Sequence, residues 1–153
     1  MATTSNPKYP ELLKTQFESY EKFHRVSQNT KLHYYGVPAF TTGLIGLLAR
    51  WVWVAGSGEL FRFDAGLAVL GILILTYLAL DWKLTVPFSL FGLGIYFFSR
   101  ALPLPLLIVL AVSGLVAQIY GHNAFEKRPP RISSNLFHFV IGPFYLFARI
   151  LKY

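Results

Sequence analysis

Four histidines, His24, His33, His122 and His138, stand in or beside the ends of apolar stretches, and none lies in the middle of one. Imidazoles gathered at one end of a hydrophobic bundle either hydrogen-bond at the water interface or ligate a metal. One alone reads as a hydrogen-bonder, whereas a converging set reads as a metal site. The chain has no cysteine, which excludes disulfides, thiolate sites and cysteine nucleophiles. A metal here would be held by imidazole, carboxylate, amide or water. Nitrogen ligands with open positions suit non-haem Fe(II) acting on O₂, and the spacing leaves zinc open as well.

The spacing sets conditions on convergence. His24 and His33 are nine residues apart, which on one unbroken helix places them on opposite sides. They meet at one ion only if the helix breaks between them. Gln28-Asn29-Thr30 is the expected break, with Asn29 either capping the following helix or orienting His33. Gly36 and Pro38 then fall in the first turns of that helix, where glycine permits close approach and proline is tolerated. Gln118, His122 and Glu126 recur every four residues on one stripe, which in a membrane helix faces the bundle interior. Glu126, Gln118 and Asn29 are the catalytic candidates beside the metal ligands His24, His33, His122 and His138. Glu126 has a second reading as a surface partner of Lys127 or Arg128, and Asp81 is expected to pair with Lys83.

The elements that must position these groups are hydrophobic helices. The 153 residues are 54% hydrophobic, 17% aromatic and only 14% charged, which is a membrane composition. Stretches free of Asp, Glu, Lys and Arg suggest spans over residues 32–54, 63–82, 84–101 and 103–125, joined by short linkers such as Gly56-Ser57-Gly58 and Asp81-Trp82-Lys83. Short linkers imply antiparallel neighbours. Residues 11–27 carry Leu13, Phe17, Tyr20 and His24 on one face, as an amphipathic helix would. Residues 132–151 are apolar but hold Gly142-Pro143 and end in Arg149 and Lys152, so they read as an interfacial or re-entrant helix. Its polar stripe carries Ser134, His138, Tyr145, Arg149 and Lys152. The expected fold is all-α: a single integral membrane four-helix bundle, with the amphipathic helix before it and the interfacial helix after it.

The net charge of +7 follows topology rather than nucleic-acid binding, because the basic residues flank apolar runs instead of forming an aromatic-interleaved patch. The lysines and arginines of the N-terminal segment, of the Asp81–Lys83 loop and of the chain after the fourth span lie on one side. Only Arg50, Arg62 and Arg100 lie on the other. The positive-inside bias puts both termini in the cytoplasm, with the membrane bacterial or of the endoplasmic reticulum. The N-terminal segment alternates Lys and Glu without an apolar core, unlike a cleaved signal peptide.

The pattern His24-x4-Asn29-x3-His33-x2-Gly36-x-Pro38, with Gln118-x2-Gly121-His122-x3-Glu126-x2-Pro129 and later Asn135-Leu136 and Gly142-Pro143, resembles the family of small multi-pass 2-hydroxy fatty acid dioxygenases. The resemblance covers nearly the whole chain. It implies an Fe(II) enzyme of fatty acid α-oxidation, as in phytosphingosine breakdown, that uses O₂ to shorten a long-chain 2-hydroxy acid by one carbon. His24, His33 and His122 match the family pattern best. Such an acid chelates iron through its carboxylate and hydroxyl oxygens, while its tail extends into the bundle or the membrane lipid. Two rivals belong to other classes: a haem-binding electron carrier using paired histidines, and a non-catalytic lipid-binding protein that needs no metal.

Overall fold

The computed structural model describes residues 9–55, 62–127 and 136–153. Helix α1 (Glu11–Glu21) buries Leu13, Phe17 and Tyr20, the apolar face expected of it, but ends six residues before position 27. Past it the His24 ring Nδ1 donates to the Tyr20 carbonyl at 2.9 Å, while the His24 backbone N–H bonds the Glu21 carbonyl at 3.1 Å. The chain turns through Lys22–Val26, and α2 (Ser27–Leu48) begins there. The break between the two histidines therefore exists, but not at Gln28-Asn29-Thr30. Asn29 is not a cap: it lies inside the first turn of α2 and is fully buried. Pro38 consequently falls well inside α2 rather than in its opening turns, because Lys31, which bounded the charge-free stretch, is itself helical.

After α2 the chain does not continue as a span to residue 54. Val52–Ala55 (β1) pairs antiparallel with Arg62–Asp64 (β2), β-branched and aromatic residues suiting a pleated ribbon better than a helix end. The Gly56-Ser57-Gly58 linker lies outside the described residues, as do Arg128, Pro129-Pro130, Arg131, Ser134 and Asn135. Asp64 then caps α3 (Ala65–Leu80), accepting the Leu67 N–H at 2.9 Å. Asp81 caps α4 (Trp82–Ala101) in the same way, through the N–H groups of Lys83 and Leu84. Its other oxygen accepts from the Tyr153 hydroxyl at 2.8 Å. The expected Asp81–Lys83 ion pair is thus replaced by a cap, and the Lys83 ammonium lies over the Trp82 ring instead. Helix α5 (Leu104–Gly121) passes into a π-helical turn over His122–Glu126, closed by Lys127 in the left-handed region at φ 51°. The last helix, α6 (Leu136–Ile150), runs through Pro143 without interruption.

Small residues let α2 and α5 pack backbone to backbone. Gly36 faces Gly114 and Gln118, Gly43 faces Ala111 and Leu107, and Gly46 faces Leu107, so the helices run antiparallel. A Cβ on Gly43 would stand 2.6 Å from the Leu107 carbonyl oxygen, and one on Gly114 would stand 2.6 Å from that of Gly36. Neither neighbour is a flexible side-chain end. Gly43→Val is therefore expected to destabilise the protein by about 1–3 kcal/mol or more through overpacking. The outward-facing Gly94→Ala, with nothing within 4 Å of its Cβ position, should leave stability unchanged. Thermal unfolding in detergent reads both.

Of the described helices, Trp82–Ala101 and Leu104–Glu126 are long and apolar enough to cross a membrane; α3 and α6 are apolar but shorter. Helix α6 lies against α1 and the α3–α4 pair. Phe144 stacks on Tyr77 with centroids 4.4 Å apart, and the Tyr77 hydroxyl donates to the Val140 carbonyl at 2.5 Å. Two residues of the polar stripe of α6, His138 and Tyr145, are buried, while Arg149 and Lys152 are exposed. His138 meets Ser19, and Tyr145 donates to Glu21 at 2.8 Å while receiving Arg149 Nη1 at 3.0 Å, so the stripe pairs with polar positions of α1.

Candidate metal centre

Three elements deliver one imidazole each to the same point: the turn after α1 brings His24, the second turn of α2 brings His33, and the π-helical turn brings His122. Their ligand nitrogens all lie within 4.8 Å of one another, and His33 and His122 are buried. The ring centroids are 4.6, 4.7 and 5.0 Å apart, with planes crossing at 72° to 87°, so the rings form three walls of a cup. A π-turn at such a place is a recurrent device of functional sites, since it widens the helix and re-aims a side chain.

Hydrogen bonding fixes the protonation of two rings. His24 Nδ1 donates to the Tyr20 carbonyl and His33 Nδ1 to the Asn29 carbonyl, each at 2.9 Å and each four residues back on its own chain. A carbonyl can only accept, so both protons sit on Nδ1 and both Nε2 atoms carry lone pairs. Burial drives His24 down to about 3, the carbonyl bond opposing this and the neighbouring imidazoles reinforcing it, so the ring is neutral at pH 7. Yet His24 Nε2 and His33 Nε2 face each other at 3.3 Å. Two lone pairs at that distance repel unless a cation lies between them. Metal–nitrogen bonds of about 2.1 Å put two nitrogens about 3.0 Å apart at a right angle and about 3.4 Å apart at the tetrahedral angle. The observed gap falls inside that interval, so the residues present fit a first-row metal. A trans pair, as in a bis-histidine haem, would need about 4 Å and a porphyrin between the rings. The haem reading does not fit this geometry.

The other candidates take distinct places. Glu126 Oε1 accepts the Val26 N–H at 2.9 Å and the Asn29 side-chain N–H at 3.1 Å, and it is not one of the clustered ligands; Arg128, its other expected partner, lies outside the described residues. The charge of the Glu126 carboxylate stands at the positive N-terminal end of α2, on the backbone N–H of the capping residue Val26. Asn29 is oriented by that carboxylate and holds His33 through its carbonyl. Its Oδ1 is buried without a conventional partner and lies against Gly121, at the place a Cβ would occupy. Gly121 is required there because any side chain would strike Asn29. Gln118 Nε2 bonds the Gly114 carbonyl at 3.1 Å and reaches that of Gly36 at 3.4 Å, stitching α5 to α2 beside the cup.

His138 is not one of the three clustered ligands; its Nε2 lies 2.9 Å from Ser19 Oγ. It stands in the wall of the adjoining cavity instead. Two contributors were not picked out from the sequence. Tyr20 stacks on His24 with centroids 3.8 Å apart at 11° while its carbonyl holds the same ring. Ser19 fixes His138. The spacing of Tyr20 four residues before His24 was the available signal, since that is the distance at which a ring nitrogen reaches a helical carbonyl.

The cup opens onto a cavity of about 360 Å³ whose wall is otherwise almost entirely aliphatic and aromatic. The arrangement is a compact cluster of nitrogen donors at the mouth of a hydrophobic chamber, which suits a ligand with a polar, metal-seeking head and an apolar body. A family model described as 2-hydroxy-palmitic acid dioxygenase Mpo1-like matches residues 11–153. No curated protein and no solved structure matches the chain.

Proposed function

We propose that this chain, which belongs to the Mpo1-like family, is an Fe(II)-dependent dioxygenase that shortens long-chain 2-hydroxy fatty acids by one carbon. The observation that carries the reading is the pair of facing Nε2 lone pairs on His24 and His33, joined by His122 at the mouth of an apolar cavity. Bound there, iron would supply a Lewis acid for the carboxylate and hydroxyl oxygens of the acid and a redox centre for O₂. His24, His33 and His122 would hold it. The Tyr20 and Asn29 carbonyls keep the protons of two of these rings on Nδ1, so that the Nε2 atoms stay available as donors. The net change, a 2-hydroxy acid and O₂ giving the acid one carbon shorter, CO₂ and water, balances without a separate reductant.

The same reading places the site at the cytoplasmic face of a membrane crossed by α2, α3, α4 and α5, with α1 and α6 lying over it. Its support is twofold. Ile72, Leu75, Leu90, Val109 and Val116 are all more than half exposed around α3, α4 and α5, a girdle too apolar for water. Basic residues also flank, in sequence, the segments that hold the histidines.

The test is turnover. Purified protein supplied with Fe(II) is expected to convert 2-hydroxypalmitic acid to pentadecanoic acid, with consumption of O₂ and release of CO₂. No conversion by a folded, iron-loaded protein would refute the activity.

A further inference from the structure

We propose that the acyl tail of the substrate lies inside the protein, in the cavity between α2, α3, α4 and α6, and that Ile45, Leu70 and Gly92 form the floor that sets its length. The inference rests on the reading of the chain as a 2-hydroxy fatty acid dioxygenase and settles where the tail goes, into the bundle rather than the bilayer.

The cavity has a polar end and an apolar end. At the first are the three clustered imidazoles; the wall then passes Val37, Tyr77 and Phe88 and reaches Ile45, Leu70 and Gly92. These levels are real positions along the bundle, because Val37 shares one buried cluster with Tyr77 and Phe88, and Ile45 shares another with Leu70 and Tyr96. In the second cluster the Tyr96 hydroxyl donates to Asp64 at 2.8 Å, and both residues are buried. From His33 to Ile45 is twelve residues of one helix, a rise of about 18 Å. An extended alkyl chain, zigzagging with C–C bonds of about 1.5 Å, covers that length in about 14 carbons. With the carboxyl and hydroxyl-bearing carbons at the imidazoles, the chamber fits an acid of about 16 carbons, a figure obtained from helix rise alone.

Gly92 is the position where the floor can be moved. A Cβ there would stand 3.0 Å from Leu70 Cδ1, so positions 92 and 70 meet at close contact on the cavity lining. Gly71 and Gly94, in contrast, have nothing within 4 Å of their Cβ positions. The Leu70 methyl is a flexible side-chain end, so a substituent at position 92 is accommodated by occupying cavity rather than by displacing backbone. Leucine at 92 raises the floor; alanine at 70 lowers it.

Binding of 2-hydroxylauric, 2-hydroxypalmitic and 2-hydroxyarachidic acids to Fe(II)-loaded protein in detergent tests this. The assay is competition against a 2-hydroxypalmitic acid analogue carrying a photoreactive diazirine at the tail end. In the unaltered protein the label is expected on Ile45, Leu70 or Ile95. Gly92→Leu should weaken 2-hydroxypalmitic acid about tenfold or more, through the buried methylenes it displaces, and leave 2-hydroxylauric acid within about twofold. Leu70→Ala should shift preference toward 2-hydroxyarachidic acid. Labelling of the outward Leu75 and Leu90, or one unchanged length profile in both variants, would overturn the proposal. Should Gly92→Leu fail to fold, Leu70→Ala and the labelling of the unaltered protein still decide it. Labelling at the floor by a protein that turns nothing over upholds the tail site and refutes the dioxygenase reading alone.

Discussion

His33→Ala protein is expected to purify without metal and to show no detectable turnover, while His138→Ala keeps both its iron and at least about half of its activity. The contrast follows from where the nitrogens point. His33 Nε2 lies 3.3 Å from His24 Nε2 in a tautomer that leaves both lone pairs aimed at the gap, so removing one ring removes one of three donors. Loss of a partner that merely orients a ligand typically lowers metal affinity 10- to 100-fold, and loss of the ligand itself should exceed that. His138 Nε2 is engaged with Ser19, outside the three-ring cluster. Stability gives an independent reading. Saturating Fe(II) should stabilise the unaltered protein by about 2.7 kcal/mol at a hundredfold excess over the dissociation constant. His33→Ala should show no such rise, although without metal its unfolding temperature should fall little, because its removal also removes a lone-pair repulsion. Metal analysis after purification without chelators checks both variants. Stoichiometric iron in His33→Ala would refute the centre.

That the histidines would meet was legible in the sequence because few residue types hold metals and helical phase is a hard constraint. His24 and His33 could converge only across a break, and a break there is. Its position differs because Asn29, a capping residue type, instead lies inside the first turn of α2, where its side chain bonds Glu126, 97 residues away. Apolar composition hid β1, since Val-Trp-Val-Ala is as apolar as a helix end. Stripe arguments fared well where one partner surface was implied: Gln118, His122 and Glu126 all address α2 or the turn before it. On α6 the polar residues His138 and Tyr145 find partners on α1, which periodicity does not reveal, because it identifies a face but not what covers it. Asp64 and Asp81 show the remaining gap. An acid before an apolar run is a cap signal, yet the hydroxyls of Tyr96 and Tyr153 that complete their bonding lie 32 and 72 residues away in sequence.

Glu126→Ala is expected to lower metal affinity about 10- to 100-fold and also to destabilise the protein, with Glu126→Gln retaining most of both. One oxygen of this carboxylate serves two donors, the Val26 N–H at 2.9 Å and the Asn29 side-chain N–H at 3.1 Å. Alanine leaves both without an acceptor at the start of α2, at about 1–3 kcal/mol for each such buried group. Asn29 in turn holds His33 Nδ1–H through its carbonyl, so slackening the first turn of α2 lets the His33 ring swing away from His24. Glutamine still offers one carbonyl oxygen to both donors and loses only the charge facing the positive end of the helix, typically 0.3–1 kcal/mol. The glutamine variant is thus the discriminating one. If Glu126 moves a proton in the reaction or ligates the metal directly, glutamine should be as inactive as alanine. If it positions His33 through Asn29, glutamine should restore metal affinity to within about threefold and alanine should not. Chelator competition for Fe(II) measures the affinities, and thermal unfolding of the metal-free variants separates local slackening from global loss of fold. Equal affinity in all three proteins would refute the positioning role.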